Sequence, residues 1–186
     1  FLGADQRPSE LNTHSVFAAA EHGAAVVFAT GRPLRWLDLL EVFTDVNPTV
    51  IASNGAVTYD LRNHRVISDT PFPIDVITDV VNDIASELPE AKFSLEEAQR
   101  CCVEPGFDRV DHGRPVTHQG PIREFLTPDS RPVKMLVRAF GIPTEELFEI
   151  VDGLVDGRVS TTFSVQLDDG LVELAPIGVS KGAALS

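Results

Sequence analysis

Two short polar stretches combine residue types that suit a phosphate group. In Phe28-Ala29-Thr30-Gly31-Arg32-Pro33 an apolar run ends in a hydroxyl, a glycine, a guanidinium and a proline. Proline suits the first turn of a helix, where its missing N–H would have no partner anyway. A helix starting there would offer free backbone N–H groups and the positive end of its dipole. Thr30 would add a hydroxyl donor, and Gly31 would let an anion approach the backbone. The stretch reads as a phosphate cradle, although Thr30 is equally explained as an N-cap that holds no ligand. The second stretch is Gly178-Val179-Ser180-Lys181-Gly182-Ala183-Ala184-Leu185, where a lysine opens a predicted helix after a strand and a Pro-containing turn. The helix dipole repels a cation at that end, so either an anion compensates Lys181 or Lys181 is a solvated side chain at a frayed end. A third polar turn, Ser53-Asn54-Gly55, follows another apolar run.

Other constellations carry less chemistry. Asp111, His112, Arg114 and His118 cluster in one segment, but their spacing fits no standard zinc pattern, and no residue is assigned as a metal ligand. Asp168-Asp169-Gly170 separates two strand-like runs and reads as hairpin chemistry rather than as a carboxylate pair. The chain has three lysines: besides Lys181, Lys92 and Lys134 either meet a substrate phosphate or snorkel. Cys101 and Cys102 are adjacent, so in a strand they point to opposite faces and make no structural disulfide. They read as packed thiols in a reducing compartment.

The elements that must position these residues follow from periodicity. Residues 8–22 have near-helical spacing with Gly23 as the stop. Residues 24–29 form a continuous apolar run, predicted as a strand buried on both faces. Residues 34–46 read as an amphipathic helix with Trp36, Leu40 and Phe43 on one side, and residues 49–53 as a second buried strand. This order is half of a doubly wound α/β sheet, in which ligands sit beyond the carboxyl ends of the strands. After Ala56 the pattern changes. Residues 57–60 and 65–68 predict a hairpin, 74–88 a helix, 132–139 a strand, 144–155 a helix, and 158–163 and 171–174 strands. Residues 105–132 read mostly as loop. The division is therefore a partial core of residues 1–56 and 173–186 interrupted by an α+β unit of residues 57–172.

The 186 residues carry a net charge of −13 and are 43% hydrophobic. That charge disfavours nucleic acid and anionic lipid as partners. No apolar stretch approaches the roughly 20 residues of a membrane span, and no signal-like segment opens the sequence, so a cytoplasmic protein is expected. No residue pattern sets an oligomeric state.

In combination, Ala-Thr-Gly-Arg-Pro after one strand, Ser-Asn-Gly-Ala after the next, an inserted α+β unit and Val-Ser-Lys-Gly-Ala-Ala-Leu resemble the Cof-type phosphatases of the haloacid dehalogenase superfamily. The resemblance runs from about Leu11 to the end, and is most specific in residues 29–33, 51–57 and 173–185. It implies a Rossmann-like α/β core with an inserted α+β cap, covering residues 57–172. It also implies Mg2+-dependent hydrolysis of a small phosphorylated metabolite (a sugar phosphate, nucleotide or cofactor phosphate) through an aspartyl-phosphate. On this resemblance Thr30 holds a phosphoryl oxygen and Lys181 bridges phosphate and nucleophile. Gly31, Asn54 and Gly55 lie near the substrate, with Arg32 on the rim. The family's Asp-x-Asp motif is expected just before Phe1 and its acidic metal-binding loop some tens of residues beyond Ser186. Asp5, with no apolar strand before it, is not assigned as nucleophile. Residues 1–186 alone are thus expected to be an inactive fragment, or alternatively a non-catalytic product that keeps the cap and binds phosphate or a protein.

Overall fold

Helix α1 (Glu10–Glu21) begins where Ser9, in extended backbone, accepts a hydrogen bond on its Oγ from Asn12 N at 3.2 Å, the ordinary N-cap arrangement. The computed structural model describes residues 7–107 and 116–185. The helix stops at Gly23, whose φ of +84° lets Gly23 N and Ala24 N donate to Ala20 O and Ala19 O, the paired bonds of a Schellman ending.

The apolar run that follows behaves differently from expectation. Only Val27–Ala29 form strand β1, and Val27 is 43% exposed. The physical reason is position. Among the described residues β1 is the edge of a four-stranded sheet of order β1-β2-β3-β4, pairing in parallel with β2 (Thr49–Ala52) and with nothing on its other side. Between them the expected amphipathic α-helix is instead two 3-10 segments, Leu34–Trp36 and Asp38–Val46. The apolar residues Leu34, Leu37, Leu40, Phe43 and Val46 recur every third position. A helix of three residues per turn stacks that spacing into one line. Leu37, Leu40 and Phe43 are accordingly buried. Phe43 is the hub of this small core, with ring centroids 6.1 Å from Phe17 of α1 and 5.0 Å from Phe28 of β1. The hairpin of β3 (Val57–Asp60) and β4 (Arg65–Asp69) forms as expected and adds to β2 antiparallel. Its turn is closed by Asp60, whose carboxylate accepts from Asn63 N and Nδ2 at 3.0 and 2.8 Å. Those bonds hold the Asp60 carboxyl below its usual range.

The second sheet has six strands, β5 (Lys92–Glu96), β6 (Cys101–Val103), β7 (His118–Gln119), β8 (Lys134–Ala139), β9 (Ser160–Thr162) and β10 (Gly170–Ala175), in the order β7-β6-β5-β8-β10-β9. Strands β5 and β6 come from a stretch with no clean alternation, and β7 from one that reads as loop. All neighbours are antiparallel except β6 and β7. Helices α2 (Ile74–Glu87) and α3 (Thr144–Val155) cover one face, packing Ile77, Val80, Ile84, Leu147 and Val151 against Phe93, Leu95, Met135, Val137, Val172 and Leu174. Period-2 alternation sends Cys102 into this core and Cys101 to the opposite face with Val103, Phe107 and Leu136.

That opposite face also buries charge. Lys134 lies at the start of β8 with its side chain 8% exposed, and its Nζ stands 2.6 Å from Glu173 Oε2. Across the sheet it faces Glu96, which is 1% exposed. Lys134 is therefore a buried ion-pair partner, neither a snorkelling surface lysine nor a free cation. The Asp168-Asp169-Gly170 segment ends a longer connection than a tight hairpin. Asp169 Oδ1 accepts from Gly141 N at 2.8 Å, and Thr144 Oγ1 accepts from Leu167 N and Leu171 N at 3.1 and 3.3 Å, so the connection is tied to the entry of α3.

The chain divides into two compact units, residues 1–69 with 180–186, and residues 70–179. The first contains the β1–β4 sheet, the second the six-stranded sheet with its two helices. No helix among the described residues is long and apolar enough to cross a membrane.

Two outcomes follow from this packing. Burial, and secondarily Glu97, pushes the Cys102 thiol up to about 11, and Cys101 is fully buried. Neither cysteine should react with iodoacetamide at pH 8 in the native state and both should react in denaturant. Mass spectrometry of the alkylated protein reads this directly, and native labelling would contradict the packing. Lys134→Met removes the buried ammonium that faces Glu173 and Glu96, and denaturant unfolding should show a loss of about 3–5 kcal/mol, partly recovered by adding Glu173→Gln.

Candidate active site

Because β1 and β2 run in parallel, their carboxyl ends lie side by side, and each is followed at once by one of the polar turns. The turns are laced together by backbone. Thr30 N donates to Ile51 O at 2.8 Å, Asn54 N to Thr30 O at 3.1 Å and Ser53 N to Arg32 O at 2.9 Å. Thr30, Gly31 and Arg32 are thus held against Ser53, Asn54 and Gly55 by bonds that do not depend on side chains.

Within the first turn, Thr30 Oγ1 accepts from Arg32 N at 3.1 Å. That bond occupies a lone pair and leaves the hydroxyl hydrogen to donate elsewhere. Thr30 is not an N-cap. The residue before the next helical segment is Pro33, in extended backbone with no side-chain cap, and the segment is a three-residue 3-10 turn. The expected dipole of an α-helix start is therefore absent at this turn. Any anion binding there rests on the hydroxyl, the backbone and the cation. Arg32 lies with its guanidinium carbon 5.8 Å from the Trp36 ring centroid, and Arg35 lies 5.6 Å from the same ring. The indole is a platform for both cations.

The second turn is conformationally unusual. Ser53, Asn54 and Gly55 have φ of +49°, +61° and +113°, so two non-glycine residues sit in the left-handed region before a glycine. Such backbone costs on the order of 1–3 kcal/mol per non-glycine residue and persists only where its surroundings impose it. Here the bonds to Arg32 O and Thr30 O do so, together with Ala56 N donating to Ser53 O at 3.2 Å. The Asn54 amide lies on Gly31, since a Cβ at Gly31 would stand 2.6 Å from Asn54 Oδ1.

The third segment arrives from the far end of the chain. Ser180 Oγ accepts from Ala183 N at 3.0 Å and Ser180 O from Ala184 N at 3.1 Å, so Ser180 caps a single helical turn that Lys181 opens. This turn lies against the second one. A Cβ at Gly55 would fall 2.3 Å from Ser180 O and 3.0 Å from Lys181 N. The structure therefore brings Thr30, Gly31, Arg32, Asn54 and Gly55 to one place with the Lys181 backbone, and the Lys181 side chain is exposed.

A cavity of about 290 Å³ opens beside this place, lined by Thr30 and Arg32 but otherwise by apolar residues, among them Val27, Phe28, Leu37 and Leu40. The remaining candidates lie elsewhere. Lys134 is engaged in the second unit, Lys92 is half-buried on β5, and His118 sits on β7 with its ring 5.7 Å from that of Phe125. Asp5, Asp111, His112 and Arg114 lie outside the described residues. Among the described residues no group of three His, Cys, Asp or Glu is placed to hold a metal. The converging turns offer hydroxyl, amide, guanidinium and ammonium groups but no carboxylate, so by themselves they do not fit Mg2+, which takes carboxylate and water oxygens. From the sequence, Trp36 reads only as part of an apolar helix face and Ser180 only as part of the lysine segment, with no part in the site for either. Ser180-x-x-Ala183 could have indicated the cap, and Trp36 four residues after Arg32 the stack.

These features find counterparts in known proteins. A family model described as haloacid dehalogenase-like hydrolase matches residues 1–186. The fold is shared with a haloacid dehalogenase-like hydrolase from Bacteroides thetaiotaomicron (TM-score 0.77, 16% identity, 99% of this chain and 70% of that one). It is shared equally with the phosphatase BT1666 from the same organism (TM-score 0.77, 22% identity, 99% and 66%). The subclass IIB sugar phosphatase BT4131 is a third such structure (TM-score 0.77, 16% identity, 99% and 69%). The chain thus spans 66–70% of the length of these three proteins. No match is found among curated proteins. With the family model covering every residue and the polar turns meeting at the carboxyl ends of two parallel strands, the chain belongs to the haloacid dehalogenase-like hydrolases.

Proposed function

We propose that the protein is a phosphatase of the Cof-type branch, hydrolysing small phosphate esters such as a sugar phosphate, a nucleotide or a cofactor phosphate, in the cytoplasm. The observation that carries this reading is the convergence of Thr30, Gly31, Asn54 and the Lys181 backbone at one end of the β1/β2 pair. Two of the similar solved structures are named as phosphatases, one of them a sugar phosphatase, which supports the same class of substrate.

In the proposed site the Thr30 hydroxyl, its lone pair already engaged by Arg32 N, donates to a phosphoryl oxygen. The Lys181 ammonium offsets the negative charge that the phosphoryl group carries through transfer. Gly31 and Asn54 form the floor, and Arg32, stacked on Trp36, supplies a cation at the rim. The family route attacks phosphorus with an aspartate and passes through an aspartyl-phosphate. That nucleophile is assigned to no residue of this chain. Mg2+ would neutralise phosphoryl charge, but the converging turns, which offer no carboxylate among the described residues, do not supply its ligands. We place the proposed cap, which would select the leaving group, in residues 70–179 rather than in residues 57–172, because the β3–β4 hairpin groups with the first compact unit.

Two measurements on the full-length protein test the reading. Lys181→Ala and Thr30→Ala should lower kcat more than they raise KM, with a loss on the order of 10²-fold for the lysine, as for removal of one electrostatic stabiliser. Steady-state kinetics at saturating Mg2+ give the split, and wild-type rates in both variants would remove the site. Exchanging residues 70–179 for the corresponding unit of a relative with a different substrate should transfer substrate preference while Mg2+ dependence is retained. A substrate-panel assay in which preference stays with the β1–β4 unit would remove the cap assignment.

A further inference from the structure

We infer that Gly55 is a positioning residue, whose missing side chain lets the Ser180–Lys181 backbone close on the 53–55 turn and so sets where the Lys181 ammonium stands. The inference rests on the phosphatase reading for the role of Lys181, but its argument is steric. A Cβ at Gly55 would lie 2.3 Å from Ser180 O, 2.5 Å from Ser180 C and 3.0 Å from Lys181 N. All three are backbone atoms, so no rotamer change relieves the overlap. Ordinary contact begins at 3.4 Å, which asks for a shift of about 1 Å. Gly55 also has φ +113°, a conformation that only glycine adopts without strain.

The direction in which that shift goes is decided by what each partner is tied to. The 53–55 turn is anchored through Ser53 N to Arg32 O and Asn54 N to Thr30 O. The 180–185 segment is one exposed helical turn closed on itself by Ser180. The shift therefore falls on the exposed segment, which carries Lys181. Gly31 is a contrast, because a Cβ there would meet Asn54 Oδ1, an atom of a side chain and not of the backbone. Gly182 has room, its nearest neighbour being Ser180 Oγ at 3.8 Å. Of the glycines at the candidate site, Gly55 is the one locked by backbone. A displacement near 1 Å at a reacting group can cost about 10²-fold in rate, comparable to losing the lysine.

A double-mutant cycle on the full-length protein tests this, using phosphatase kinetics on Gly55→Ala, Lys181→Ala and the double variant. Gly23→Ala serves as control, since Gly23 has φ +84° with no atom within 4 Å of a Cβ, and so reports backbone strain without a clash. Gly55→Ala is expected to lose about 10²-fold in kcat with KM within a few-fold, and to add no loss in the Lys181→Ala background. Gly23→Ala should lower the unfolding temperature and keep the wild-type kcat. Losses that multiply in the double variant, a wild-type kcat for Gly55→Ala, or a Gly55→Ala protein that folds at no temperature where the wild type does, would each overturn the inference. If Lys181→Ala itself keeps the wild-type rate, the role proposed for Lys181 falls and the inference with it. If Lys181→Ala is slow and Gly55→Ala is not, the inference alone falls.

Discussion

Three backbone hydrogen bonds between the turns that end β1 and β2 are the constraint on which the candidate site depends. Parallel pairing puts the two carboxyl ends on the same edge, and Thr30 N to Ile51 O continues the ladder one residue past β1. Asn54 N and Ser53 N then reach back to Thr30 O and Arg32 O. This requires left-handed backbone at Ser53 and Asn54, because an extended chain there would carry its N–H groups away from the first turn. The strain of that conformation and the satisfaction of otherwise buried polar groups are two sides of one arrangement. A site built from backbone in this way holds its geometry without relying on the rotamers of long side chains, which suits recognition of a compact anion.

The two units solve the problem of sheet burial differently. The six-stranded sheet covers one face with α2 and α3, and on the other face it combines apolar residues with the Lys134–Glu173 pair and Glu96. Ion pairs buried to this degree are weak contributors to stability relative to well-packed apolar residues, but breaking one is expensive. The four-stranded sheet has a smaller core centred on Phe43 and an edge strand with an exposed valine. The cavity beside β1, with apolar walls and Thr30 and Arg32 at its polar end, lies along that edge.

The period-3 line of Leu34, Leu37, Leu40, Phe43 and Val46 shows how a pattern can be visible and still be misassigned. Over a short window the spacings of an α-helix and of a 3-10 helix both place Leu40 and Phe43 on one face. Only the repeat of three over five apolar positions separates them, and 3-10 runs of nine residues are uncommon enough that the α reading is the natural one. The consequence for the site is direct, because the helix dipole expected after Thr30-Gly31-Arg32-Pro33 depends on an α-helix that does not form there.

The sequence by itself determined the local features whose cause is local. Gly23 ends α1, residues 57–60 and 65–68 make a hairpin, residues 74–88 and 144–155 are read as helices, and adjacent cysteines point apart. It also marked the turns that hold Thr30, Gly31 and Arg32 and Asn54 and Gly55 after apolar runs, and Lys181 at a predicted helix start. Tertiary structure decided what depends on partners distant in sequence: that residues 24–29 contribute only a short edge strand, that β5, β6 and β7 join a sheet from weakly patterned segments, and that Lys134 is consumed by Glu173. It alone decided that the backbone of Ser180 and Lys181 lies against Gly55, some 125 residues earlier in the chain. The reason is physical, since a capping bond or a hairpin is a contact between near neighbours that residue type can encode. A sheet edge, a buried ion pair or the meeting of two loops depends on which surfaces are left to pair once the local elements exist.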